Sequence, residues 1–217
     1  MIVLPVGMHR TGSSMMANVL QVLGVQMNGF DDKHCEDRDF VRLNRAILRS
    51  ADGAWNAPPS PSALREHRQW ADQRIENLMS AKERLRALEG THMWGWKDPR
   101  MCLLLKPLYG KALSRRTDVR YIWMQRSREH VCASLWARDG KHERGCPNYG
   151  TLYERYTRDL RAYLEAQPAD KVYRVPYTQW THWSSDYRLS VIKETCDFLK
   201  IGYNKAHEAR NVIRPQR

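Results

Sequence analysis

The sequence has no hydrophobic run long enough to cross a bilayer, no CxxC pair, no Cys/His cluster at metal-ligand spacing and no internal repeat. These absences argue against a membrane-spanning helix, a dithiol redox motif, a structural zinc site and a solenoid. The five cysteines (Cys35, Cys102, Cys132, Cys146, Cys196) are odd in number and scattered, which fits reduced thiols better than a disulfide framework. No charged-then-apolar leader precedes the first apolar segment, so a cytoplasmic protein without a signal peptide is expected. Acidic residues are also short: 24 Asp and Glu stand against 36 Lys and Arg, a net charge of +12. That excess calls for an anionic partner, and charge alone does not choose among a nucleotide, an acidic polymer, nucleic acid and a membrane surface.

The 217 residues, 42% of them hydrophobic, are enough for one sizeable core, so a single domain over residues 1–217 is expected. Eight Trp and ten Tyr supply large amphipathic side chains for packing and for stacking on ligands. Apolar runs at 2–6, 93–96, 119–124 and 172–175 read as strands. Between them lie helical patterns: one after Gly12 carrying Met15, Met16, Val19, Leu20 and Leu23, and one capped by Asp39 with Phe40, Leu43 and Ile47 inward. Residues 57–62 read as a plain loop, and residues 63–88 as a charged helix with Ala71, Ile75, Leu78 and Leu85 inward. Further helices carry Leu103, Leu104 and Leu108; Val131, Leu135 and Trp136 behind a Ser127 cap; Leu152, Tyr156, Leu160 and Leu164; and Leu189, Ile192, Cys196 and Leu199. Residues 140–150 read as an exposed loop. Strands alternating with helices predict an α/β fold, a parallel sheet flanked by helices with ligands at the carboxyl ends of its strands.

The informative residues all fall at those strand ends. Gly7-Met-His-Arg-Thr-Gly-Ser-Ser14 joins the first strand to the first helix. Such a unit turns backbone N–H groups and the positive end of a helix dipole toward one point, which suits phosphate or sulfate. Its two glycines have the spacing of a nucleotide P-loop, but Ser13 replaces the lysine that pairs with a metal-bound triphosphate, and basic charge sits at Arg10. Arg126 closes the third strand, with Ser134 two turns into the next helix; an arginine and a hydroxyl so placed grip one phosphate from two sides. Lys97 emerges from the second strand in Trp94-Gly-Trp-Lys-Asp-Pro-Arg100, and Tyr177 follows the fourth. Taken singly, each has a bland alternative: a tight packing turn, a surface ion pair, a solvated lysine beside a Trp cluster. The basic stretch 65–86 alternates with Glu66, Asp72, Glu76 and Glu83, and reads as a solvated helix with i,i+4 pairs rather than a nucleic-acid surface.

Together these segments resemble the sulfotransferases that use 3′-phosphoadenosine 5′-phosphosulfate (PAPS), in the prokaryotic and tyrosylprotein-sulfotransferase-like branch. Gly7 to Ser14 resembles that family's 5′-phosphosulfate loop, Arg126 and Ser134 its 3′-phosphate motif, and Trp96-Lys-Asp-Pro99 its Lys-Asp-Pro element. Val175-Pro-Tyr-Thr178 sits where the family often has Tyr-Glu-Asp-Leu. The chain departs from the cytosolic branch at Arg10, where that branch has lysine, after Tyr177, where the acidic pair is missing, and near its end, where no Arg-Lys-Gly motif occurs. The resemblance implies that Arg10 and the segment Thr11, Gly12, Ser13 and Ser14 hold the phosphosulfate, while Arg126 and Ser134, with Tyr177, hold the rest of the nucleotide. It implies that Lys97 offsets charge on the leaving oxygen and that Glu36 takes the acceptor's proton, with His34 the competing base. His9 is expected to shape the site, and Arg210 and Arg214 to add charge near the 3′-phosphate. PAPS is then the donor, 3′,5′-ADP (PAP) the product, a hydroxyl compound the acceptor, and neither metal, nucleic acid nor membrane takes part. The alternatives are a P-loop kinase of a nucleoside or small metabolite and a non-catalytic nucleotide- or polyanion-binding module. For the acceptor, Trp55 suits a ring or sugar, whereas Arg138, Lys141, His142 and Arg144 suit an anion. Acceptor identity and oligomeric state stay open.

Overall fold

The first apolar run forms β1 (Ile2–Val6), every residue of it buried. In the computed structural model, which describes residues 1–27, 35–116, 118–139, 148–182 and 184–213, β1 is the central strand of a five-stranded sheet. β2 (Gln26–Met27), β3 (Trp94–Gly95), β4 (Val119–Gln125) and β5 (Val172–Pro176) complete it in the order β2-β3-β1-β4-β5, all parallel. A central parallel strand is covered on both faces, which is why β1 and β4 read as continuous apolar runs rather than alternations. Pro5, lacking an N–H, lies beyond the last β1–β3 pair, Val3↔Gly95, where that side has no ladder bond to lose.

Helices cover both faces. One layer holds α1 (Ser13–Val22), α10 (Ser185–Leu199) and α11 (Ala206–Val212) against Val3, Ile122, Met124 and Val175. The other packs α2 (Arg38–Ser50), α3 (Pro61–Glu66), α4 (Arg68–Leu88), α5 (Met101–Leu104), α6 (Gly110–Ser114), α7 (Arg128–Asp139) and α8 (Tyr149–Leu164) on the Ile2, Leu4, Val6, Tyr121 and Trp123 face. Residues of β1 and β4 alternate between the two cores, as the two-residue period of a strand requires. A one-turn helix, α9 (Tyr177–Trp180), follows β5. Between α5 and α6 the chain widens into a π-turn over Leu105–Tyr109. Pro107 lies inside it and has no N–H for an α-helical bond, which is the local reason for the wide turn.

Several expectations need correcting. Asp37, not Asp39, caps α2: its Oδ1 accepts from the amides of Asp39 and Phe40 at 2.9 and 3.0 Å. The helix expected at 63–88 is two, because Ser60 caps an earlier start at Pro61 and the chain breaks at His67. On α4 Leu85 is 44% exposed, and Met79 is buried in the row it was expected to fill. Trp136 on α7 is 41% exposed rather than inward. The acids of α4 serve tertiary contacts more than i,i+4 ladders: Glu76 and Glu83 reach Arg116 at 2.9 and 3.1 Å, while Arg68–Asp72 is a 3.5 Å pair along the helix. Three short elements, β2, α9 and α11, were not foreseen. Of residues 140–150, read as an exposed loop, 140–147 lie outside the described residues, while Asn148 caps α8 and Tyr149 and Gly150 are buried in its first turn. Cys102, Cys132 and Cys196 are buried thiols outside any disulfide, and the Cys35 thiol donates to Asn18 Oδ1 at 3.0 Å. Among the described residues no helix is long and apolar enough to cross a membrane.

Gly95 marks the tightest point in the sheet. A Cβ there would lie 1.9 Å from the Val3 carbonyl oxygen of β1, a backbone atom that cannot move without breaking the register. Gly95→Ala is therefore expected to destabilise the fold by about 3 kcal/mol or more, or to prevent folding, the larger end of overpacking costs. Denaturant unfolding checks it; a loss under about 0.5 kcal/mol would contradict the tight β1–β3 approach.

Candidate functional site

The loop between β1 and α1 is shaped by its smallest residues. A Cβ on Gly7 would meet Thr11 Oγ1 at 2.5 Å and the Met124 carbonyl at 2.8 Å. Gly12, at the start of α1, has φ 92° and lies against Tyr177, whose ring a Cβ would approach to 2.9 Å. Arg10 also takes the left-handed conformation, φ 69°, which is strained for a residue with a side chain. Thr11 holds the loop closed from inside: buried, it donates from its hydroxyl (2.7 Å) and its amide (3.3 Å) to the Met8 carbonyl. Gly12, which precedes α1, has no side chain with which to cap it, and with Ser13 and Ser14 it lines the cleft, so the positive end of the helix dipole faces that space.

The end of β4 closes on the same loop. Arg126 Nη1 donates to the Arg10 carbonyl at 2.9 Å, and Arg10 Nε donates to Ser134 Oγ on α7 at 2.7 Å. The Arg126 guanidinium lies 4.1 Å from the centre of the Tyr177 ring, and its Nε is buried without a hydrogen-bond partner. Burial, then the nearby Arg10 charge, pulls the Arg126 pKa below its ordinary value, while Tyr177 acts the other way. A cationic group held in this state gains most from an arriving anion.

Glu36 and Lys97 approach from the β3 side. Their backbones form an isolated parallel bridge, and Lys97 Nζ donates to Glu36 Oε1 at 3.0 Å, the lysine side chain being 5% exposed. Arg100 Nη1 donates to Glu36 Oε2 at 3.4 Å and to Asp98 Oδ1 at 2.7 Å. Asp98 is fully buried, and burial raises its pKa against the opposing pull of Arg100.

These groups converge. A cleft of about 280 Å³ is lined by Arg10, Gly12, Ser13, Ser14, Glu36, Lys97, Arg126 and Tyr177, together with His9, Met15, Pro99 and Arg138. Of the site residues expected from sequence, Thr11 and Ser134 stand just behind this wall, Thr11 as the loop's inner tie and Ser134 as the partner of Arg10. A second hollow of about 420 Å³, bounded by Gln125, Ser127, His130, Pro176 and Thr178, shares Arg126 and Tyr177 with it. A roomier one, about 530 Å³, lies at the opposite end of the strands beside Met1 and Asp118; its Arg116 is engaged by Glu76 and Glu83.

Four residues take roles here that the sequence did not specify. His9 Nε2 is buried with no hydrogen-bond partner, and burial, followed by the charges of Lys97, Arg100 and Arg138, lowers its pKa well below the usual histidine value. Its ring packs 4.7 Å from that of Trp55, which also carries the Arg138 guanidinium at 4.9 Å. Trp55 thus supports the cleft wall, and Arg138 is engaged by Asp139. Arg100 was quoted only as the end of a motif. Arg210 bonds Ser185 at 2.8 Å and does not line the cleft. His34, Lys141, His142, Arg144 and Arg214 lie outside the described residues.

No protein-family model matches the sequence, and no curated protein is similar to it at a significant level. Solved structures do match. The sulfotransferase domain of the curacin biosynthetic pathway superposes with a TM-score of 0.57 at 9% identity, over 96% of this chain and 77% of that one. The sulfotransferase domain of the Synechococcus PCC 7002 olefin synthase gives 0.57 at 16% identity, over 95% and 75%. A sulfotransferase of Mycobacterium tuberculosis H37Rv gives 0.53 at 12% identity, over 97% and 70%. Likeness at these identities speaks for architecture: the chain has the α/β fold of the sulfotransferases.

Proposed function

We propose that the cleft transfers a sulfuryl group from PAPS to a hydroxyl group of an acceptor. The observation that carries this reading is the convergence of Arg10, Arg126 and Ser134 with Lys97 and Glu36 around the start of α1. The α1 amides and Arg10 bind the 5′-phosphosulfate. Arg126 and Ser134 bind the 3′-phosphate, and the adjoining hollow beside Tyr177 takes the nucleoside. The acceptor oxygen attacks sulfur, the bond from sulfur to the bridging oxygen breaks, and the electron pair stays on the 5′-phosphate of PAP. Lys97 offsets that charge, and Glu36 takes the hydroxyl proton. His9, held neutral by burial and neighbouring cations, shapes the wall. Positioning and electrostatics carry the catalysis.

A P-loop kinase is the competing enzyme reading. Ser13 stands where its lysine belongs, and the one acid lining the cleft among the described residues, Glu36, is paired with Lys97 and Arg100. A non-catalytic polyanion-binding module is separated from both by turnover.

Two outcomes are expected. PAP at about a hundred times its Kd should add about 2.7 kcal/mol of stability, a rise in Tm of about 5–10 °C in a chain of this size, and 5′-AMP much less. Equal shifts for the two nucleotides, or a larger one with Mg-ATP, contradict the 3′-phosphate site. Lys97→Ala and Glu36→Gln should each lower kcat on the order of a hundredfold while PAP affinity stays near that of the native protein. Full turnover in either variant removes that residue from the chemistry.

A further inference from the structure

Two cations share the Glu36 carboxylate, and they differ in where they stand relative to the cleft. Lys97 binds Oε1 and lines the cleft, where an incoming anion can claim it. Arg100 binds Oε2, its side chain is 6% exposed, and it does not line the cleft. A buried chain of hydrogen bonds fixes Arg100 from behind. Asp98 Oδ1 accepts from the Arg100 Nη1 at 2.7 Å and from the Arg100 amide at 2.9 Å. Asp98 Oδ2 accepts from Asn44 Nδ2 on α2 at 2.8 Å, and Asn44 Oδ1 accepts from the hydroxyl of Tyr109, at the end of the π-turn, at 2.7 Å. Asn44 and Tyr109 are completely buried.

The proposed reaction sets these two cations different tasks. A multiply charged donor entering the cleft draws Lys97 toward the phosphosulfate and repels the Glu36 carboxylate. A carboxylate left by Lys97 next to such an anion would swing away unless a second cation, out of the donor's reach, held it. We propose that Arg100 is the positioning residue for the transfer step: it anchors Glu36 through Oε2 while Lys97 passes from Glu36 to the donor. The inference rests on the reading of Glu36 as the proton acceptor. It assigns the Tyr109–Asn44–Asp98 chain a purpose beyond packing, since that chain keeps the guanidinium from following either anion. Buried ion pairs contribute little net stability in general, and orientation is a role that fits their retention here.

The test is a double-mutant cycle. Arg100→Gln and Arg100→Lys are each made in the native chain and in Glu36→Gln, with radiolabelled PAPS and 4-nitrophenol as substrates and PAP affinity measured by calorimetry. Arg100→Gln should lower kcat on the order of ten- to a hundredfold, the usual result of misplacing a reacting group by about 1 Å, and leave the Kd for PAP within about twofold. Arg100→Lys should recover part of the loss. In Glu36→Gln, the Arg100→Gln change should cost nothing further, because a residue acting only through Glu36 has nothing left to position. A loss of the same factor in both backgrounds, or a fall in PAP affinity matching the fall in kcat, overturns the anchoring role even with Glu36→Gln inactive. Full activity of Glu36→Gln alone instead removes the proton acceptor and the anchoring role together. Because Arg100→Gln leaves Asp98 buried without its partner, the comparison is repeated between Asp98→Asn and Asp98→Asn/Arg100→Gln, where no such charge remains; the same loss, again absent with Glu36→Gln, is expected there, and no loss overturns the proposal.

Discussion

The register of β1 against its two neighbours decides where every charged group in the cleft can be. Pairing Val6 with Trp123 brings the ends of β1 and β4 level, so the loop carrying Arg10 and the turn carrying Arg126 meet within a hydrogen bond. Pairing Val3 with Gly95 sets Lys97 two residues beyond the last β3 pair, on the same edge. A one-residue slip in either ladder would turn these side chains to the opposite face. Gly95 enforces one of the pairings, since no side chain fits between it and β1. Gly7 and Gly12 do the same for the loop, packing it against Met124 and Tyr177.

On that frame the electrostatics divide into two halves. At the β4 side, Arg10 and Arg126 are brought together, and among the described residues a carbonyl, a serine hydroxyl and an aromatic ring, not a carboxylate, meet their charges. Like charges drawn together in a half-buried cleft are a standing preference for anions. At the β3 side, the cations are balanced: Lys97 and Arg100 share Glu36, and Arg100 also meets Asp98. In the proposed transfer, the first half would hold charge that arrives and the second would redistribute charge during the step.

Much of the fold was legible because its signals are local. Continuous apolar runs reported buried parallel strands, and the loop from Gly7 to Ser14 reported the strand–turn–helix unit. The misses were long-range. β2 has two residues and no pattern of its own; it exists because Met27 pairs with Gly95. Asp37 and Asp39 look equivalent in sequence, and only the backbone decides that Asp37 caps α2 while Asp39 meets Lys82. Trp55 read as a ligand-stacking residue, yet its ring faces His9 and Arg138. The candidate site residues with strand-end positions were all identifiable. The role of Arg100 was not, because it depends on Asn44 and Tyr109, 56 and 9 positions away, meeting behind the cleft. The cue available was Asp98 beside a proline and an arginine, a buried acid in need of a partner.

A structure of the protein with bound PAP tests the central claim most directly, since it needs no acceptor. The account predicts the 5′-phosphate at the start of α1 against Ser13 and Ser14, the 3′-phosphate on Arg126 and Ser134, and Glu36 still held by Arg100. A nucleotide lying elsewhere, or one bound in the cleft with its 3′-phosphate free of Arg126 and Ser134, contradicts it.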